Sequence, residues 1–286
     1  MLDRVMLAWF ILTALSVAFV ALDIRSTPES PVLKWGFVLL TAYTGPLGAL
    51  LYVLGCREPL LGTHERFVAS RWRQVLGSTM HCVAGDGVGI LVGAVIASHF
   101  GFSRPLDITL EYVLGFAFGW SIFQSLFMRD MAGGSYARAL SGTFLPELLS
   151  MNSLMAGMVP VMTIAMDHVT GGHDPHTLAF WFIMSMALLV GFITAYPTNW
   201  WLVSHHMKHG MTTIRPKERR LPHVVSGGDQ DVHTSGNANG PSRERQDVRT
   251  HGERASVAGE VLIGMTALTF VALGLGLTVA VLFGAL

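Results

Sequence analysis

Apolar residues run through this chain in seven long stretches, divided by short polar segments and one long one. The stretches are 5–24, 32–54, 75–97, 110–128, 148–166, 178–203 and 259–285. A helix needs roughly 20 apolar residues to cross the hydrocarbon core of a bilayer, and each stretch is near that length. Period-2 alternation is missing, so barrel strands do not account for them. The pattern predicts an all-α, polytopic transmembrane helical bundle of about seven helices. The first stretch follows Arg4 and has no small-x-small cleavage pattern after it. Its apolar run of about 18 residues exceeds the roughly 7–15 of a secretory signal core, which predicts a retained helix.

The long polar segment, 212–256, is rich in Gly, Ser, Asn, Asp and Arg and poor in large apolar residues. Such a segment cannot bury a core and reads as a disordered cytoplasmic linker. The chain then divides into a six-helix transmembrane core at 1–210, a linker at 211–257 and a C-terminal transmembrane helix at 258–286. No internal repeat supports an inverted-repeat transporter.

Composition sharpens this picture. Of 286 residues, 51% are hydrophobic and 13% charged, against about a quarter charged in soluble domains. The formal net charge of zero argues against a nucleic-acid partner and leaves the lipid bilayer as the expected surroundings. Neither a phosphate loop nor a GxSxG, HExxH or CxxC motif occurs, so hydrolytic and NTP-driven chemistry have no residues to use, and an enzyme is not expected. Two cysteines, Cys56 and Cys82, cannot form a disulfide framework. If the N-terminus is cytoplasmic, sixteen of the 19 Lys and Arg residues fall inside, and Arg25, Lys34 and Arg104 fall outside. Basic loops stay in the cytoplasm, so the expectation is a multi-pass protein of the inner (cytoplasmic) membrane with its C-terminus outside.

Gly85, Gly89 and Gly93 recur at steps of four in the third stretch, and Gly115 and Gly119 in the fourth. Small residues at this spacing let helices approach closely, within the chain, in a homo-oligomer or against a membrane partner. Gly45-Pro46, Pro160 and Pro197 predict kinks.

Polar side chains inside the spans carry the candidate chemistry, because an ionisable group in the membrane is costly and by default functional. His81, Cys82 and Asp86 lie in the third stretch, Gln124 in the fourth, Asn152 in the fifth, and Tyr196 with Asn199 in the sixth. Cys82 and Asp86 are four apart and share a helix face. Asp86 falls about 16 Å from the inner end of its helix, close to the midplane. An interhelical hydrogen-bond layer explains the amides as well as a site does. It explains a midplane carboxylate less well. The fifth stretch carries Met151, Met155, Met158, Met162 and Met166 at steps of four, three, four and four. These methionines share one face over roughly 22 Å. Thioethers suit Cu(I), and they equally fill gaps between helices. Asp167, His168, His173, Asp174 and His176 follow the stripe, and His205, His206 and His209 follow the sixth stretch.

Several runs also resemble a known family. They are Met80–Asp86, Glu111–Gly119, Phe127–Gly134, Met151–Met162 and Tyr196–Trp201. Together they make residues of about 70–210 similar to the domain of unknown function 4396, an integral membrane family. The resemblance implies a membrane helical fold and supplies no activity.

The leading expectation is a transporter or permease for a small cation or a soft metal such as copper. The path would be lined by His81, Cys82, Asp86, Gln124, Asn152, Asn199 and the methionine face. The metal ligands would be His81, Cys82, Asp86 and Met155. Two alternatives stand beside it. One is a haem protein in which His81 pairs with His205, His206 or His209. The other is a non-catalytic assembly or scaffold subunit.

Overall fold

The computed structural model describes residues 2–60, 62–129, 134–211 and 259–284. The expected linker at 211–257 lies almost wholly outside the described residues. Every described element is helical, as the apolar pattern requires. Six helices are long and apolar enough to cross a membrane. They are α1 (Leu2–Asp23), α5 (Arg71–Phe100), α6 (Arg104–Phe118) with its continuation α7 (Ser125–Arg129), α8 (Tyr136–His168), α9 (Leu178–Ser204) and α10 (Gly259–Phe283).

The expected crossing at 32–54 is the point of difference. It is two helices, α2 (Pro31–Thr44) and α3 (Pro46–Gly55), meeting at Gly45. Ser30 caps α2 by accepting from the Leu33 amide at 3.3 Å, and a proline opens each helix at a position where its missing N–H is harmless. Gly45 has φ +59° and ψ −138°, a conformation open essentially to glycine alone. A Cβ there would also stand 2.7 Å from Thr13 Oγ1 and 2.9 Å from the Trp9 ring. The chain turns back on itself at this point. Tyr52, near the end of α3, donates to Asp23 Oδ2 at 2.7 Å and lies 3.2 Å from Thr27 Oγ1, both just before α2. Arg57 completes the closure with a 2.9 Å ion pair to Asp23. The arms run about 21 Å in and about 15 Å back. Hydropathy could not reveal this, because a hairpin buried among helices is as apolar as one long crossing.

The short helix α4 (His64–Val68) follows at the base of the hairpin. Arg73, in the first turn of α5, donates to the Leu54 and Phe67 carbonyls at 3.1 and 2.9 Å and so ties α3, α4 and α5 together.

The bundle is apolar outside and polar within. α5, α8 and α9 form its centre, and α1, α6 and α10 its flanks. Leu7, Ile11, Leu15 and Leu22 of α1 and Ile263, Leu268, Leu275 and Leu282 of α10 face outward, as lipid-facing residues do. The glycine faces serve packing inside the chain. A Cβ on Gly89 would overlap the Leu114 carbonyl, and one on Gly93 would stand 2.9 Å from Glu111 Cα. The α5 and α6 glycines therefore meet each other, and that face is not open to a second protein. α10 seats on α8 where Pro160 leaves the Ala156 carbonyl without its helical donor. Gly276 packs against that oxygen. Pro146, Pro160 and Pro197 all lie inside helices that continue past them.

Candidate functional site

The centre of the bundle holds charge. α5 presents Cys82 and Asp86 one turn apart, and the Cys82 thiol donates to Asp86 Oδ2 at 3.1 Å. α8 adds Glu147. One ligand atom from each of the three lies within 4.8 Å of the others, and all three residues are buried.

A lysine closes this group from the end of the bundle where α9 stops. After Ser204 the chain reverses at His206, which has φ 57°, and the Lys208 amide returns to the Leu202 carbonyl at 3.3 Å. The Lys208 side chain, 2% exposed, runs into the bundle. Its Nζ lies 2.8 Å from Glu147 Oε2 and donates to Ser150 Oγ at 2.7 Å. Ser150 donates to Asn199 Oδ1 at 3.0 Å, and Asn199 donates to the Ala195 carbonyl at 3.1 Å. Met211 seals the same end, packed where Gly55 and Gly77 leave room.

Gly119 makes the space for the carboxylates. A Cβ there would overlap Asp86 Oδ1 and stand 2.9 Å from Glu147 Oε1. The helix widens into π geometry over Gly119–Gln124, a distortion that recurs at functional sites. It brings Phe123 and Gln124 to His81. The His81 ring lies 5.8 Å from Phe123 and 4.8 Å from Phe127, with the Gln124 amide facing it.

The structure thus gathers His81, Cys82, Asp86, Gln124 and Asn199 into one buried neighbourhood. Asn152 has a different role. It accepts from Tyr112 at 2.6 Å and donates to Thr269 at 3.4 Å, tying α6, α8 and α10. Met151, Met155, Met158, Met162 and Met166 are all buried. Met151 Cε reaches the Gly115 position and Met166 lines a cavity at the opposite end. His205 lies with its ring 4.5 Å from Trp201 and bonds the Trp201 carbonyl at 2.8 Å, so its contacts are with its own helix end.

Glu111, Glu147 and Lys208 were missed in the sequence. Glu147 stands one residue before the 148–166 stretch, yet α8 begins at Tyr136 and carries it well inside. Its spacing of three from Ser150 was the only signal. Lys208 gave none, because its place depends on the chain reversal at His206.

Two features extend the site towards the opposite end. Glu111 of α6 is fully buried, and neither carboxylate oxygen has a hydrogen-bond partner among the described residues. Asp107, Glu111, Gly115 and Gly119 stand at steps of four on one face of α6. Beyond them, Arg104 grips Asp167 with both guanidinium nitrogens, one at 2.7 Å from Oδ2, and His173 stands 3.2 Å from Asp167 Oδ1. A cavity of 540 Å³ opens there, lined by Ser98, Met166, Asp167, His173 and Asp174 among others.

Residues 71–208 match the family model described as a domain of unknown function (DUF4396). No curated protein and no solved structure matches the chain. The match takes in every residue of the central cluster, from His81 to Lys208, and leaves out the hairpin and α10.

Proposed function

From a multi-pass membrane helical chain that carries the domain of unknown function 4396, we propose a permease-like protein for a small cation, with Cys82, Asp86 and Glu147 as its site. One observation carries the reading. Two carboxylates and a thiol face a single ammonium in the buried centre of the bundle. Attraction between Lys208 and Glu147 offsets the desolvation of one pair. The second carboxylate leaves a surplus negative charge, and a cation or a proton is what neutralises it. A cation in this position competes with Lys208 for Glu147, so arrival and departure of the ion are coupled to movement of the lysine.

The donor set favours a borderline or soft metal over an alkali ion, since thiolate ligands select such metals. Copper remains within that class. Asp107 and Glu111 on the inner face of α6, with Met151 beyond them, form the path from the far cavity. The methionine face lines the neighbouring wall.

The hairpin bears on orientation. Because α2–α3 returns to the end it left, Arg25 and Lys34 join Arg57, Arg66, Arg71, Arg73, Arg129, Arg138 and Lys208 at one end of the bundle. Arg4 and Arg104 stand at the other. By the positive-inside tendency, our reading has the Lys208 end cytoplasmic and the N-terminus and the 540 Å³ cavity outside. The expectation of a cytoplasmic N-terminus rested on a crossing at 32–54.

Equilibrium binding tests the site. The metal-stripped protein is titrated with Zn²⁺ and, under reducing conditions, Cu(I). Asp86→Asn and Glu147→Gln should each weaken binding by about tenfold or more. Wild-type affinity in both variants would end the proposal.

A further inference from the structure

A second group of metal-type donors lies outside the matched domain, at the base of the α2–α3 hairpin. Glu29 precedes α2, Cys56 ends α3 and His64 opens α4. Ligand atoms of the three lie within 4.8 Å of one another. Glu29 is 3%, Cys56 0% and His64 1% exposed. His64 Nε2 stands 3.6 Å from Glu29 Oε1. Two ligands at about 2.1 Å from a tetrahedral zinc ion stand about 3.4 Å apart, so this pair is already at the spacing such an ion needs.

The surroundings add an independent argument. The His64 ring also bonds the Cys56 backbone carbonyl, the kind of contact that fixes ring orientation and tautomer in metal-binding histidines. The three donors come from three separate elements and converge at one point.

We infer that Glu29, Cys56 and His64 form a structural site for a zinc-class divalent cation that locks the base of the hairpin. Bound there, the ion ties the start of α2 to the end of α3 and the start of α4. Binding releases the Cys56 thiol proton, and the dication with one thiolate and one carboxylate makes a neutral site. The site is separate from the central cluster and does not depend on the function proposed for it.

The two cysteines make the test specific. The full chain in detergent is metal-stripped and titrated with Co²⁺, whose thiolate complexes absorb by sulfur-to-metal charge transfer. The band should persist in Cys82→Ser, vanish when Cys56→Ser is added to that variant, and need about tenfold more Co²⁺ when His64→Gln is added to it instead. Zn²⁺ should displace the Co²⁺. Absence of the band from Cys82→Ser overturns the inference. If that band is lost in Cys82→Ser and kept in Cys56→Ser, the central site stands and the hairpin site falls. Alkylation covers the case in which Cys56→Ser fails to fold. In the Cys82→Ser protein, Zn²⁺ should slow labelling of Cys56 at least tenfold, and His64→Gln should remove that protection. Equal labelling rates with and without Zn²⁺ would also overturn it.

Discussion

Lys208 is the residue on which the central cluster turns. It is buried, it meets Glu147 at 2.8 Å, and Asp86 lies just beyond. Removing one partner of a buried pair leaves an uncompensated charge, at a cost of about 3–5 kcal/mol. Lys208→Met should therefore lower the thermal midpoint of the detergent-solubilised protein by several degrees. The double variant Lys208→Met/Glu147→Gln should regain most of the loss, since it removes both charges together. A single variant as stable as wild type would show that the lysine does not occupy this place. The contrast with Asp86 is instructive about legibility. Asp86 could be read from the sequence because a carboxylate inside an apolar run has one interpretation. Lys208 sits among histidines after a helix end, where basic residues are ordinary interface anchors. Only the turn at His206 reveals its direction.

At the scale of the element, the hairpin decides the topology. A glycine followed by proline inside an apolar stretch is compatible with a kink or with a reversal. The sequence alone does not separate them, since both tolerate a local break in helical hydrogen bonding. The reversal rests on Tyr52 and Arg57 returning to Asp23. It has a consequence that labelling can read. With α1 crossing, the hairpin returning and α5 crossing back, positions 3 and 103 share one face of the membrane. Position 66 lies on the other. Single cysteines placed at Asp3, Ser103 and Arg66, in a chain without Cys56 and Cys82, should react with an impermeant maleimide on intact cells at the first two positions only. Labelling at 103 with protection at 3 would mean that residues 32–54 cross after all. The six other stretches map onto long helices, because length and hydropathy alone specify a helix able to cross the bilayer. The glycine steps of α5 and α6 were likewise legible as a packing face, although not which helix each would meet.

At the scale of the whole molecule, the bundle carries a line of acidic groups between two differently charged ends. The far cavity holds Asp167 and Asp174, then come Asp107 and Glu111 on α6, then Asp86 with Glu147, and last Lys208 near the basic end. Apolar side chains such as Leu15, Ile193 and Leu275 cover the outside. Transport of a cation along this line is the central claim, and tracer uptake into sealed vesicles tests it most directly. Vesicles containing the wild-type protein should take up a borderline or soft metal ion, Zn²⁺ or Cu(I), faster than protein-free vesicles. Asp86→Asn and Glu147→Gln should each reduce that uptake at least tenfold, while Asn152→Leu, which touches only the interhelical bonds, should retain most of it. Uptake by both carboxylate variants at the wild-type rate would contradict the account.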